Sequence, residues 1–397
     1  MLIKRFCLFR QISVTEIMKL IPRPSNFAAL NKTMLYRAIG LMSGSSLDGL
    51  DIVFAEFNET SGHWDYEIKA AACYEYSKEW ISRLQNATSL SALEYQLLHA
   101  DYGHYLGEEV NRFIGENNLH YQVGLIASHG HTTFHVPSRK MTAQLGEGAA
   151  IAAETRLPVV SDLRALDLAF GGQGAPIVPI GEKLMLGDYS MFLNLGGIAN
   201  ISFNLPGKYI AFDICPANRV LNLIANMVNK EYDAGGQMAA LGNVNQQLLD
   251  KLNAFEYYKL PYPKSLANDF GTDKVFPLLK SFGLSHNDLL RTYVEHIVHQ
   301  IKLSIENNSK LKTQNSKLLI TGGGALNTFL IGRLSSELTS LGVEVVVPEE
   351  NLVKYKEALI MGLIGVLRWR QEYNVLSSVT GAERDSIGGA IWIGQEA

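Results

Sequence analysis

Gly40-Leu41-Met42-Ser43-Gly44-Ser45-Ser46-Leu47-Asp48-Gly49-Leu50-Asp51 separates two apolar runs, 35–39 and 52–57. Strand, glycine–serine turn, strand is a hairpin pattern. Glycine lets the backbone take positive φ and approach a ligand closely. The serines add hydroxyls, and Asp48 and Asp51 add carboxylates within reach of a magnesium ion. Such a turn suits the phosphates of a nucleotide. It is not a Walker loop, because G-x-x-x-x-G-K-[ST] is missing and no helix clearly follows. An ordinary surface hairpin is the competing reading.

Working outward, 397 residues favour two or more domains, although one large domain is compatible with that length. A hydrophobic share of 47% supplies sizeable cores. The net charge of −4 gives no electrostatic case for binding nucleic acid or an anionic membrane. Cys7, Cys73 and Cys215 are too scattered for a disulfide framework or a zinc site, and they fit a reducing compartment. Residues 1–33 are basic and poorly periodic, with no secretory cleavage site. They are expected to be a disordered extension or the product of an early start codon, since Met34 stands just before the first strand.

Downstream, 64–75 continues a strand meander and 78–116 reads as helical. Leu93, Leu97, Leu98, Tyr102 and Leu106 recur at helical spacing and are expected to form a core stripe. Residues 123–127 form a buried strand running into Ser128-His129-Gly130-His131-Thr132-Thr133. Open α/β sheets place ligands at the carboxyl ends of such strands. His129 and His131 would share a face, as ligand donors, as metal ligands or as satisfied structural histidines; no further metal-ligand set is visible nearby. Residues 158–162 are another buried strand, followed by Arg164 and Asp167. The arginine suits a phosphate or a sugar, or else a structural pair with Asp167. Gly171-Gly172-Gln173-Gly174-Ala175-Pro176 is irregular. It reads as a flexible loop, a domain junction or an active-site wall.

The pattern then repeats. Residues 190–203 are again strand, glycine turn and strand around Asn194-Leu195-Gly196-Gly197. Two such hairpins, each opening a half, indicate a duplicated architecture clasping one ligand. Asp213 ends the strand 210–213 and is a candidate general base, with an N-cap for the following helix as the rival role. Thr321-Gly322-Gly323-Gly324 precedes a helix, where an anion or a flat base can come close. Glu357 reads as an acid in the first turn of a helix, where compensation of the helix dipole is common.

Taken in order, segments 40–51, 128–132, 144–146, 158–167, 171–179, 194–200, 212–218, 321–327, 357–358 and 379–382 resemble the 1,6-anhydro-N-acetylmuramic acid kinases, within the actin/sugar-kinase ATPase fold. The resemblance covers nearly everything from residue 35 onward. It implies an α/β protein of two actin-like (ribonuclease H-like) lobes with mixed five-stranded sheets flanked by helices and a cleft between them. The lobes would span 34–188 and 189–397, with the last helix able to pack back on the first lobe. It implies a cytoplasmic enzyme of peptidoglycan recycling that uses ATP and Mg2+. Its substrate would be the anhydro-sugar, its product N-acetylmuramic acid 6-phosphate, and a homodimer fits the family.

By the same resemblance, Asp213 would be catalytic and Glu357 would support the ATP end of the site. Gly44, Ser45, Ser46, Leu47, Asp48, Gly49, Leu50 and Asp51, with Asn194, Gly196, Gly197, Gly322, Gly323 and Gly324, would bind the nucleotide. His129, Thr132, Arg164 and Gly174 would face the sugar. The chain departs from the family pattern at Ile214, Cys215 and Ala217, at 264–269, and at His131, where a glutamine is usual. These changes are expected around the sugar site, and they leave open another anhydro-sugar as substrate or a weakened, sensor-like protein.

Overall fold

The computed structural model describes residues 33–395 apart from Ser45, 206–207, Pro263, Asn268 and 309–315. The expected N-terminal extension (but for Thr33) and Ser45 therefore lie outside the described residues. Among the described residues twelve strands run in chain order: β1 Met34–Ser43, β2 Leu50–Thr60, β3 His63–Tyr74, β4 Leu125–Val136, β5 Met141–Leu145, β6 Val159–Ser161, β7 Met191–Leu195, β8 Ile198–Leu205, β9 Lys208–Pro216, β10 Ser316–Thr321, β11 Val343–Val346 and β12 Ala390–Trp392.

Two mixed sheets result. The first has the order β12-β6-β4-β1-β2-β3, with β5 added to β4; the second has the order β11-β10-β7-β8-β9. In the first, β1, β2 and β3 are antiparallel neighbours, and β4 and β6 continue parallel to β1. In the second, β7, β8 and β9 are antiparallel neighbours, and β10 and β11 continue parallel to β7. The two five-stranded frames thus share one topology, which is the duplication read from the sequence. The first frame gains β5 and β12 and becomes seven-stranded.

Apolar residues sort into three cores. One lies under helix Ala92–Glu116 on the outer face of the first sheet. One lies between the second sheet and helices that include His286–Asn307 and Thr328–Thr339. The third joins the halves, combining Ala38, Val53, Phe57 and Leu125 with Phe192, Tyr209 and Leu319. Helix Glu350–Trp369 fills that middle layer with Leu359, Ile360, Met361, Leu363, Ile364, Val366 and Leu367. It crosses so close to β1 that a Cβ at Gly40 would overlap the Ala358 carbonyl oxygen. No helix among the described residues is long and apolar enough to cross a membrane.

Three local readings change. Leu98, Tyr102 and Leu106 are buried as expected, but Leu93 and Leu97 are exposed at 70% and 56%. The helix begins at Ala92, capped by Ser91, and its buried residues begin only at Leu98. Glu357 lies two turns inside helix Glu350–Trp369, so dipole compensation does not account for it. Asp213 is within β9, and Ala217 occupies the N-cap of helix Asn218–Asn226, so the capping role also falls.

Candidate active site

A cleft of ≈ 980 Å³ opens between the halves, and Arg164, Asn194, Asp213 and Glu357 all line it. These four come from separate segments of the chain: the loop after β6, the end of β7, β9, and helix Glu350–Trp369.

Asp213 is aimed by a local irregularity. The β8–β9 register slips between Ala199 and Asn200, so Asn200 faces Asp213, Ala199 faces Cys215, and Ile214 is the extra residue. A bulge of this kind redirects side chains. Ile214 and Cys215 are consequently buried in the core of the second half and do not line the cleft. These two departures from the family pattern therefore lie in the core beside Asp213, behind the cleft wall. Asp213 Oδ2 accepts from Leu266 N at 2.9 Å, and Tyr257 OH donates to the Asp213 carbonyl at 2.7 Å. Burial raises the Asp213 carboxyl above 3.8, and the Leu266 amide pulls it partly back.

Arg164 is built from behind. Its Nε donates to His129 Nε2 at 2.8 Å and its Nη1 to the Gly174 carbonyl at 2.6 Å. His129 Nδ1 lies 2.8 Å from the Gly130 carbonyl, which only accepts, so the proton is on Nδ1 and Nε2 is free to accept. Burial and the arginine push His129 down to about 3, which keeps it neutral. Asp167 takes Gly174 N at 2.8 Å and Thr380 Oγ1 at 2.7 Å, tying the 171–176 loop to the C-terminal segment. His129 and Gly174 therefore hold Arg164 and do not themselves face the cleft. Thr132 is exposed on the β4–β5 hairpin and accepts from Gln144 Nε2 at 3.2 Å. His131 is buried, with Nδ1 3.0 Å from Ser43 Oγ.

Of the described residues expected to bind the nucleotide only Asn194 lines this cleft; the glycines of the turns do not. Gly196 and Gly197 carbonyls accept from Asn218 N and Ala217 N, anchoring the β7–β8 turn to the start of helix Asn218–Asn226. A Cβ at Gly196, Gly197 or Gly323 would meet nothing closer than 3.6 Å, leaving space above the turns. Gly322 has φ +82°, and a Cβ there would overlap Asn194 Oδ1; Gly324 packs against Leu195. In the other hairpin, Ser46 Oγ donates to Asp48 Oδ1 at 2.7 Å, while Leu50 and Gly49 are buried beneath it. Leu47 has φ +58°. Burial pushes Asp51 up to about 6, with Asp48 and Glu357 adding to the rise, so these three acids lie within electrostatic reach of one another. Burial likewise raises Glu357, opposed by Lys356 and Arg164.

Several lining residues escaped the sequence reading: His135, Glu182, Asn200, Ser202, Lys208 and Lys356. The signal for two of them was available. Asn200 and Ser202 alternate with buried Ala199, Ile201 and Phe203, placing polar groups on one face of β8. Glu182 and Lys356 gave none, because they stand 174 residues apart in the chain and only the fold pairs them.

A family model described as anhydro-N-acetylmuramic acid kinase matches residues 36–394. Proteins named anhydro-N-acetylmuramic acid kinase from Hydrogenovibrio crunogenus and Francisella tularensis subsp. novicida are each 33% identical, over 371 and 381 residues. One from Clostridioides difficile is 32% identical over 376 residues. Each comparison covers 89% of this chain and 97% of the relative. Among solved structures, an activator of 2-hydroxyisocaproyl-CoA dehydratase from Clostridium difficile with bound ADPNP is 12% identical, with TM-score 0.42, covering 84% of this chain and 96% of that one. Component A of the (R)-2-hydroxyglutaryl-CoA dehydratase of Acidaminococcus fermentans is 14% identical, with TM-score 0.41, covering 83% and 97%.

Proposed function

The chain belongs to the anhydro-N-acetylmuramic acid kinase family, and from that membership we propose an ATP-dependent kinase that opens the 1,6-anhydro ring of 1,6-anhydro-N-acetylmuramic acid and phosphorylates O6. The products are N-acetylmuramic acid 6-phosphate and ADP, a conversion that serves peptidoglycan recycling. Cytoplasmic location and a homodimeric state are part of the same reading and rest on family membership.

The observation that carries the mechanism is Asp213: a half-buried carboxylate lining the cleft, one oxygen tethered by Leu266 N and the other without a hydrogen-bond partner among the described residues. That free oxygen takes a proton from water as the water adds to C1. The same negative charge stabilises oxocarbenium character as the C1–O6 bond breaks. The freed O6 then attacks the γ-phosphoryl group, and ADP leaves. Alignment and charge neutralisation dominate such transfers. Arg164, fixed by His129 and Gly174, is the cation assigned to the sugar or the transferring phosphoryl.

For the nucleotide we assign the 44–51 hairpin, Asn194, Gly196, Gly197 and 322–324. The space above Gly196, Gly197 and Gly323 fits phosphates approached by backbone amides. Among the described residues no three His, Cys, Asp or Glu side chains group to hold a metal unaided. Magnesium keeps several waters and binds largely through phosphate oxygens. Asp48 and Asp51 would hold it from the protein side, and when bound it would neutralise phosphate charge.

The test is direct. Purified protein with MgATP and the anhydro-sugar is expected to yield the 6-phosphate, detected by mass spectrometry. Asp213→Asn is expected to keep ATP affinity and lose about 10²–10⁴-fold in kcat. No phosphorylated sugar from the unaltered protein would reject the activity, and near-normal turnover by the variant would reject the base.

A further inference from the structure

One pair of opposite charges in the cleft wall has no part in the chemistry above. Lys356 and Glu182 are 4% and 3% exposed, and Lys356 Nζ lies 2.7 Å from Glu182 Oε1. Glu182 Oε2 accepts from Ser202 Oγ and from Tyr209 OH, each at 2.7 Å. Lys356 Nζ also sits 5.8 Å from the centroid of the Phe192 ring. Both carboxylate oxygens are thereby satisfied, as a buried charge requires.

The partners are what matter. Glu182 lies on helix Pro179–Met185, where the chain passes from the first sheet to the second. Lys356 immediately precedes Glu357 on helix Glu350–Trp369, the helix that packs on β1. Phe192, Ser202 and Tyr209 lie on β7, β8 and β9. Tyr209 and Asp213 share one face of β9, and Ser202 and Asn200 share the facing side of β8. One carboxylate therefore connects the strand face that carries Asp213 to the helix that carries Glu357. Apolar packing alone would let a helix and a sheet slide by fractions of an ångström; a charged hydrogen-bonded pair with fixed geometry resists that.

We infer that Lys356 and Glu182 form a positioning pair that sets Glu357 against Asp213 across the cleft. The inference rests on the functional reading above. Buried ion pairs are poor evidence for stability, since an uncharged pair of similar volume often replaces them without loss. Position is what such a replacement would not restore, and misplacement of a reacting group by about 1 Å costs about a hundredfold in rate.

The experiment uses the full chain. Unfolding midpoint, kcat, and KM for sugar and ATP are measured for the unaltered protein, Lys356→Met, Lys356→Arg, and Lys356→Met combined with Glu182→Gln. Lys356→Met alone strands a buried carboxylate and is expected to lower both midpoint and kcat. The combined variant is expected to regain the midpoint while kcat stays about tenfold or more below the unaltered value. Its sugar KM should change by less than about threefold, and Lys356→Arg should retain more kcat than Lys356→Met. A combined variant that regains both midpoint and kcat overturns the inference and leaves the pair merely structural. If the Lys356 variants do not fold, Tyr209→Phe decides, because it keeps both charges and removes one donor to Glu182. A fall in kcat at unchanged sugar KM supports positioning, and an unchanged kcat overturns it. Absence of sugar turnover in the unaltered protein removes the functional reading and this inference together, an outcome distinct from the others.

Discussion

Asp51 illustrates how much of a side chain's behaviour its surroundings set. Its carboxyl, pushed up to about 6 mainly by burial, keeps a proton in the folded chain that the unfolded chain releases near 3.8. Between those values the folded state binds more protons, so stability falls as pH rises through about 4 to 6 and then levels off. Asp51→Asn removes the ionisation and keeps a group of similar shape beside Cys73. Without nucleotide or metal, the variant is expected to be more stable at neutral pH by about 1–2 kcal/mol, and its advantage should vanish near pH 4. Unfolding midpoints of both proteins across that range check this; equal midpoints at neutral pH would contradict it. The sequence marked Asp51 as a nucleotide-side acid, and Asp213 and Arg164 were equally visible because one closes an apolar run and the other stands just after one. What it did not reveal was which neighbours occupy each polar atom. His129 and Gly174 were legible as part of the site, yet their role behind Arg164 depends on a hydrogen bond between residues 35 apart in the chain.

At the scale of elements, the strand–turn–strand pattern was readable because alternation and glycine are local signals. The bulge at Ile214 was not, since it depends on the register of β9 against β8. That register turns two apparent substitutions in the site into core residues. The depth of Glu357 within its helix was hidden for a similar reason: residues 350–356 carry no strong apolar stripe, so the true start is set by docking on the sheet. The glycine turn after β10 permits a sharper expectation. Gly322 combines φ +82° with a Cβ position filled by Asn194 Oδ1 and the Leu195 backbone. Gly322→Ala therefore suffers both a strained backbone and an overlap, and is expected to cost about 1–3 kcal/mol. Relief of the overlap would shift Asn194, so KM for ATP should rise more than KM for the sugar. Equal changes in the two constants would argue that this turn is remote from the nucleotide.

For the whole molecule, the duplicated topology was legible as two hairpin-led halves, but the sharing of a core was not. The middle core takes Ala38, Val53, Phe57 and Leu125 from the first sheet and Phe192, Tyr209 and Leu319 from the second. Between them lies helix Glu350–Trp369, and β12 then pairs with β6, where Trp392 Nε1 donates to Ser161 Oγ at 3.0 Å. The first sheet is thus completed only by the last fifty or so residues of the chain. Each fully buried Leu, Ile, Val or Met in that helix is worth roughly 2 kcal/mol relative to exposure. Leu359, Ile360, Met361, Leu363, Ile364, Val366 and Leu367 together then contribute about 14 kcal/mol before the entropy cost of ordering the chain, a gross term of the same order as the net stability of an ordinary domain, about 5–15 kcal/mol. The chain is expected to unfold in a single calorimetric transition, with van't Hoff and calorimetric enthalpies in agreement, and a chain ending at residue 349 should not fold cooperatively. Two resolved transitions, or a truncated chain with a sharp unfolding curve of its own, would show that the halves are independent. The consequence for catalysis follows from the same layer. Because the helix that carries Glu357 packs on β1 and is also tied through Lys356 and Glu182 to Ser202 and Tyr209 on the strands that carry Asp213, the two acids are held to one shared layer.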